Sequence, residues 1–307
     1  MIIIGAGLSG LLAARSFHNA TIIEKQSELP NNHSALLRFR SSIVGDTLGI
    51  PFKKVNVYKG VLLEDGKTIT NTPTIREYNA YSIKSTGHAL ERSIINTINA
   101  ERFIAPDRLT AMLSDRTSIK FSTDAKDYLH GVSHSPVIST IPMPALMKML
   151  NYPNIPNFTT QEIWTINCDL LFTNVYQTLY VPYKDDEPYR VSITGSKMTL
   201  EFAIQPSVGS ETDYIEQYTS IIFGCDIKYI NIFRKRQEYG KIVPIDEDQR
   251  QSFILWATDQ FGIYSLGRFA TWRNILLDDV MKDIGIISKF IHQRNDYTRA
   301  MHYTKGE

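Results

Sequence analysis

The sequence is poor in cysteine. Only Cys168 and Cys225 occur in 307 residues, 57 positions apart and without a CxxC motif. That excludes a disulfide scaffold and a dithiol redox pair. It points to a reducing setting with both thiols buried. Charge of one sign is lacking too: 33 Lys and Arg face 32 Asp and Glu, a formal net charge of +1. There is no global field to draw the chain to nucleic acid or an anionic membrane. No apolar run approaches the length of about 18 residues that a transmembrane helix needs, so no membrane contact is expected. The apolar start has no basic leader and no small-residue cleavage site, so it reads as a strand and not as a secretion signal, with a cytoplasmic location expected. Internal repeats and low-complexity tracts are absent. No metal is expected: His130 and His134 stand at helical spacing, but Gly131 and Pro136 break that helix. No nucleophile elbow supports a hydrolase.

What is present begins at the first residue. MIIIGAGLSG runs three apolar residues into Gly5, Gly7 and Gly10, and a second apolar run ends on Glu24. Residues 2–4 read as a buried strand, 8–17 as a helix and 21–24 as a second strand. Strand, glycine turn, helix and strand open a doubly wound α/β fold. Glu24 stands 19 positions after Gly5, the spacing of a dinucleotide fingerprint. Gly5 makes the tight turn, Gly7 lets the backbone approach a pyrophosphate, and Gly10 lets helix and strand pack closely. The helix N-terminus offers unpaired N–H groups and partial positive charge to phosphates. Glu24 accepts the hydroxyls of an adenosine ribose and repels a 2′-phosphate. The pattern alone does not separate FAD from NAD.

Hydrophobic content of 43% suits a folded chain of one or two domains. Residues 35–60 carry mixed signals and are expected to wrap near the cofactor. Residues 60–83 read as short β-like pieces, with a hairpin turn at Asp65-Gly66. Residues 87–103 read as a helix and then a strand, 107–115 as a helix and 117–123 as a strand. In SPVISTIPMPALMKML (135–150), the strand VIST is broken by IPMP and followed by a helix. Residues 160–204 are rich in Thr, Tyr, Ile and Val and read as three or more antiparallel strands. A helix is expected over 210–223, a strand in GIYSLG, and an amphipathic helix over 275–291 with Ile275, Leu276, Val280 and Ile284 in the core.

Three segments resemble the FAD-binding oxidoreductases related to amine oxidases, protoporphyrinogen oxidase and UDP-galactopyranose mutase. They are IIIGAGLSGLLAA with IIEK (Ile2 to Lys25), VISTIPMPAL (137–146) and IYSLGRFATWRNILLDDVMKDI (263–284). The resemblance implies an α/β fold: a Rossmann-like FAD/NAD(P)-binding domain with an inserted antiparallel-sheet substrate domain. It implies a discontinuous FAD-binding domain of residues 1–55, 100–150 and 240–307, and a substrate-side region of 56–99 and 151–239. The implied FAD contacts are Gly5, Gly7, Gly10, Glu24 and Lys25 from the first segment, Thr140 and Pro142 from the second, and Gly267, Arg268, Asn274 and Ile275 from the third. Where the family has a glycine pair and an arginine after the acidic residue, this chain has Leu36, Leu37, Arg38, Phe39 and Arg40. Arg38 or Arg40 is then the bidentate donor to the pyrophosphate. Asp278 and Asp279 either reach the ribityl chain or cap their turn, with capping favoured for Asp279.

Arg190, Tyr239, Arg268 and Trp272 are the candidates for catalytic or substrate contacts. Arg234, Lys235 and Arg236 form a small basic patch that would suit a phosphorylated or nucleic-acid substrate. The leading expectation is a FAD-dependent oxidoreductase that oxidises a C–N bond of an amine or amino-acid-like group, with an amine-bearing or nucleotide-linked substrate. One rival is a non-redox flavoenzyme similar to UDP-galactopyranose mutase. A second follows from a looser resemblance to compact virus-encoded flavoproteins that act on amino-acid-modified thymine in DNA, which would place the chain in a host cytoplasm. A third is a non-catalytic dinucleotide-binding protein. An NAD-dependent dehydrogenase is opposed by the two flavin-like segments. The oligomeric state is left open.

Overall fold

A computed structural model describes residues 1–29, 38–89, 99–129 and 136–303, the last ten of these by backbone only. The chain starts with β1 (Ile2–Ile4), α1 (Leu8–Ser16), β2 (Thr21–Ile23), β3 (Arg38–Phe39), α2 (Ile43–Leu48), β4 (Lys53–Leu62), β5 (Ile69–Thr70) and α3 (Ile75–Thr86). It continues with β6 (Ala100–Ile104), α4 (Leu109–Ser114), β7 (Ser118–Lys120), α5 (Lys126–Leu129), β8 (Val137–Ser139) and α6 (Met143–Met149). Next come β9 (Thr160–Leu170), β10 (Val175–Tyr180), β11 (Arg190–Gly195), β12 (Lys197–Phe202) and α7 (Glu211–Phe223). Last are β13 (Tyr229–Ile242), α8 (Glu247–Phe261), β14 (Ile263–Ser265) and α9 (Leu277–Tyr303). Two compact units result. The first comprises Met1–Lys53, Phe103–Thr159 and Ile242–Glu307, and the second Lys54–Arg102 and Thr160–Lys241. Among the described residues, no helix is long and apolar enough to cross a membrane.

The first unit is built on a parallel sheet of order β14-β8-β1-β2-β7. Ile3, Ile22, Ile138 and Tyr264 join the core that holds Leu11, Leu12, Leu109 and Val280. Ile4, Val137 and Ile263 join the opposite core, with Met143, Leu146, Phe253 and Ala257. Burial on both faces explains why the strands read as short, nearly unbroken apolar runs. Each such side chain is worth roughly 1.5–3 kcal/mol when removed from water. The strand order reverses at β1, with β2 on one side and β8 on the other. A ligand crevice is expected outside the carboxyl ends of the strands at that point.

The second unit holds a sheet of order β13-β9-β12-β11-β10-β4, with β5 paired to β4 across the Asp65-Gly66 turn and β6 beyond β4. Along β9 to β12 the side chains alternate. Ile166, Cys168, Leu179, Val191, Ile193 and Leu200 face Ile215 and Tyr218 of α7. The other face is polar. Thr178, Ser192, Thr199 and Asn167 stand in one cross-strand row, and Tyr180, Arg190, Glu201 and Thr165 in the next. The two rows are stitched by Thr199 Oγ1 to Asn167 Oδ1 at 2.9 Å and Asn167 Nδ2 to Thr165 Oγ1 at 3.0 Å.

The structure corrects several sequence expectations. Residues 75–86 form a helix, not β-like pieces, and Thr74 with Glu77 makes a capping box at its start. Its buried positions include Glu77, Ser82 and Ser85, so an apolar period never appears in the sequence. Residues 229–242, to which the sequence pattern assigns no element, form a long edge strand whose exposure falls on both faces. Cys225 is exposed while Cys168 is buried, because Cys225 follows Gly224, the left-handed cap that ends α7. Burial pushes the Cys168 thiol up to about 12, which makes it inert. Leu276 is also exposed, unlike Val280 and Ile284. Leu36, Leu37, residues 90–98 of the helix expected from residue 87, and the His130 and His134 pair lie outside the described residues.

Candidate dinucleotide-binding site

The site is the turn between β1 and α1. Gly5 has φ +97, a left-handed value that favours glycine. A Cβ on Gly10 would lie 2.0 Å from the Gly5 carbonyl oxygen, so only glycine lets the helix start this close to the strand. Gly7 is different: a Cβ there would meet no heavy atom within 4 Å. Its place in the sequence is not explained by the protein's own packing. Gly7 is also the N-cap of α1 and has no side-chain cap hydrogen bond. The first N–H groups of the helix are therefore left for another acceptor.

Neighbouring strands hold this turn in place. Thr140 follows β8, and its Oγ1 donates to the carbonyl of Ile4 at 2.8 Å and lies 3.2 Å from that of Gly5. Pro142 is the N-cap of α6. Gly267 follows β14 with φ +96, and a Cβ there would lie 2.4 Å from Ser9 Oγ in the first turn of α1. Gly5, Gly10, Thr140, Ser9 and Gly267 are thus brought together around one helix N-terminus. Ser139 and Ser265 stand in register on adjacent strands. Both hydroxyls are buried and have no hydrogen-bond partner among the described residues. Such groups are uncommon and call for a bound polar group or water.

Glu24 follows β2 and turns back over the glycine turn. Its Oε2 accepts the N–H of Ala6 at 2.7 Å and its Oε1 accepts that of Gln26 at 2.9 Å. A carboxylate has about four acceptor positions, so two remain. Lys25 beside it is exposed. Arg38 lies in β3, opposite Ile104. Arg40 follows, with an exposed side chain and backbone N–H donated to Asp278. Asp279 Oδ2 accepts the N–H of Leu276 at 3.0 Å, so it caps its own helix as expected.

The segment after β14 is a closed turn. Arg268 Nη2 donates to Asn274 Oδ1 at 3.1 Å, the Ile275 N–H goes to the Arg273 carbonyl at 2.9 Å, and Arg273 pairs with Asp283. Asn274 and Ile275 precede α9, which starts at Leu277. Trp272 is packed into the first unit rather than exposed. It is 5% exposed, its Nε1 donates to the Val243 carbonyl at 2.9 Å, and it meets Phe158 edge-on at 4.7 Å. These contacts hold it at φ +48, a strained value for a bulky residue.

The four expected catalytic residues are divided. Arg268 and Trp272 belong to the first unit, and Arg190 and Tyr239 to the second. Arg190 stands opposite Glu201 and pairs with it through two nitrogens, Nη2 to Oε1 at 2.6 Å. Its charge is neutralised within the sheet, which removes it as a ready anion contact. Tyr239 is exposed on β13. The basic patch is engaged as well: Arg234 pairs with Glu211 and holds the carbonyls of Pro206 and Ser207, and Arg236 pairs with Glu162.

No family model and no curated protein matches the sequence. The fold has clear relatives among solved structures. A reduced UDP-galactopyranose mutase superposes with a TM-score of 0.65 at 16% identity, over 95% of this chain and 93% of that one. A protein described as a protoporphyrinogen oxidase, from Exiguobacterium sp. 255-15, gives 0.56 at 12% identity, over 95% and 98%. A conjugated-linoleic-acid-producing fatty acid isomerase from P. acnes gives 0.55 at 11% identity, over 94% and 98%. The chain has the α/β fold of FAD-binding oxidoreductases, with a Rossmann-like core and an inserted, largely antiparallel sheet.

Proposed function

We propose that the chain binds FAD at the β1–α1 turn and acts as an oxidoreductase. The observation that carries this reading is Gly7, a glycine with open space around it at an uncapped helix N-terminus. Open space there is what a pyrophosphate requires. The remaining residues fit the same group. The α1 N–H groups would receive the phosphates. Glu24 keeps two acceptor positions for two ribose hydroxyls. Arg40 supplies positive charge. The likeness of residues 137–146 and 263–284 to flavin-side segments favours FAD over NAD. Ser139 and Ser265 give buried hydroxyls that a bound polar group or water would complete.

When bound, the flavin would supply the redox chemistry, taking a hydride equivalent from a carbon next to nitrogen in an amine-bearing substrate. The chain's own residues bind and orient. Arg268 is held by Asn274, so its guanidinium keeps one direction. The polar face of the second unit's sheet offers hydroxyl, amide and tyrosine groups, which suit a polar amine or nucleotide-linked substrate. Trp272 contributes rigidity to the turn after β14. The test is the absorption spectrum of protein purified without added cofactor, before and after denaturation. Bands near ~375 and ~450 nm, with FAD identified by mass in the released fraction, support the reading. A colourless protein that takes up no FAD refutes it.

A second reading has its own support in the likeness to a reduced UDP-galactopyranose mutase. Here the flavin would act without net electron transfer. Amine-driven bleaching of the flavin supports the first reading. Turnover that needs prior chemical reduction and consumes no oxidant supports the second.

A further inference from the structure

Asp278 and Asp279 are adjacent in the first turn of α9, yet they do different work. Asp279 caps its own helix. Asp278 is 4% exposed, and its carboxylate bonds among the described residues run to Arg40 and Ser41, outside its own helix. Its carboxylate reaches a segment 238 residues earlier in the chain. Oδ1 accepts the N–H of Arg40 at 3.1 Å, the N–H of Ser41 at 3.0 Å and the hydroxyl of Ser41 at 3.0 Å. Oδ2 is 3.2 Å from the Arg40 nitrogen. A buried carboxylate is costly unless several donors satisfy it, and this one has three.

The segment it grips is anchored on its other side as well. Phe39 is buried, its ring 4.9 Å from that of Phe52, and it pairs with Phe103 in β6. Residues 38–41 are thus fixed both by the core and by α9, while the Arg40 side chain stays exposed. No ion pair engages its guanidinium among the described residues. Holding both backbone N–H groups fixes the direction in which the Arg40 side chain leaves the chain.

We propose that Asp278 is a positioning residue for the dinucleotide: by clamping the backbone of Arg40 and Ser41 to the start of α9, it presents the Arg40 guanidinium to the cofactor's phosphates. This rests on the FAD reading above. The carboxylate does not touch the cofactor. It acts through Arg40.

The experiment is FAD titration of the apo full-length chain at two salt concentrations, with melting curves in parallel. The variants are Asp278→Asn, Arg40→Gln, the double variant, and Asp279→Asn as the control that disturbs the same helix turn. Asp278→Asn is expected to raise the Kd about tenfold and to flatten its salt dependence as Arg40→Gln does. The double variant is expected to be no weaker than the weaker single one, because both changes remove one interaction. Asp279→Asn is expected to leave the salt dependence unchanged. Wild-type affinity in Asp278→Asn overturns the proposal. So does full additivity with Arg40→Gln, or an equal effect from Asp279→Asn. If Asp278→Asn does not fold, Ser41→Ala removes one donor and leaves the clamp partly intact. An unchanged Kd and salt dependence in that variant overturns the proposal, and a rise of about threefold with a flatter salt dependence supports it. Failure of the wild-type chain to bind FAD refutes the FAD reading instead, and is recognised before any variant is made.

Discussion

Alanine at Gly7 and alanine at Gly10 should separate ligand from fold. At Gly10 the added methyl would sit 2.0 Å from the Gly5 carbonyl oxygen and 3.1 Å from its carbon. Both are backbone atoms, so no rotamer relieves the clash and the helix must move off the strand. Overpacking of this kind costs roughly 1–3 kcal/mol or more. For a unit of this size that is a fall in Tm of about 3–10 °C. At Gly7 the backbone has φ −68 and ψ 174, which alanine adopts freely, and the methyl meets nothing within 4 Å. The only cost to the apo protein is that of alanine at an N-cap, up to roughly 1 kcal/mol. A pyrophosphate lying against that backbone would collide with the methyl. Gly7→Ala should therefore melt within about 3 °C of wild type and bind FAD at least tenfold more weakly, about 1.4 kcal/mol. Apo melting curves and FAD titration measure both. If Gly7→Ala binds FAD as wild type does, the phosphates do not approach this turn, and the central reading of the site is wrong.

Three further outcomes are expected. Glu24→Ala should weaken FAD about tenfold but leave flavin mononucleotide binding unchanged, since only FAD carries the adenosine ribose; titration with each ligand checks this. Trp272→Phe removes the bond to Val243 and should cost about 1 kcal/mol in urea unfolding, while the spectrum of bound flavin stays the same; a shifted spectrum would return Trp272 to the ligand. Lys84 donates to the carbonyls of Tyr183 and Pro188 at 2.7 and 3.2 Å, and burial lowers its pKa from 10.5 to about 8. Below about pH 8 the charged amine is desolvated in the folded state. Above it the unfolded chain still binds the proton that the folded chain has lost, so the stability contributed by Lys84 should rise with pH, by up to roughly 2 kcal/mol from pH 8 to 9.5. The buried Cys168 thiol, pushed up to about 12, acts the opposite way in wild type and variant alike, so the readout is the difference: the urea midpoint of wild type minus that of Lys84→Met should rise across that range, and a difference that falls with pH contradicts the assignment.

Which parts of this chain were legible follows from where each residue exerts its effect. The run from Ile2 to Glu24 could be read because strand, turn, helix and strand are consecutive, and each glycine acts on backbone a few residues away. The β9 to β12 sheet could be read because one face is buried against α7, which leaves a period of two. Helix α3 escaped notice because its buried side includes Glu77, Ser82 and Ser85, although Thr74 and Glu77 at capping-box spacing were a usable signal. Strand β13 escaped notice because an edge strand exposed on both faces need not alternate. The packing of Trp272 was not legible because its anchors, Val243 and Phe158, are distant in sequence.

Asp278 and Asp279 make the distinction sharpest. They are the same residue type in the same helical turn. Asp279 acts on Leu276, three residues back, and its capping role could be anticipated from helix rules alone. Asp278 acts on Arg40 and Ser41, and no local pattern could have named those partners. Their separation also has a physical consequence. The clamp closes only when residue 278 has come back to residues 40 and 41, so the placement of Arg40 depends on the completed first unit. A fragment ending before residue 277 would keep the Gly5–Glu24 fingerprint in its sequence yet lack the contact that orients Arg40. The fingerprint is therefore a poor guide to affinity by itself, because the residue that directs the positive charge stands at the other end of the fold.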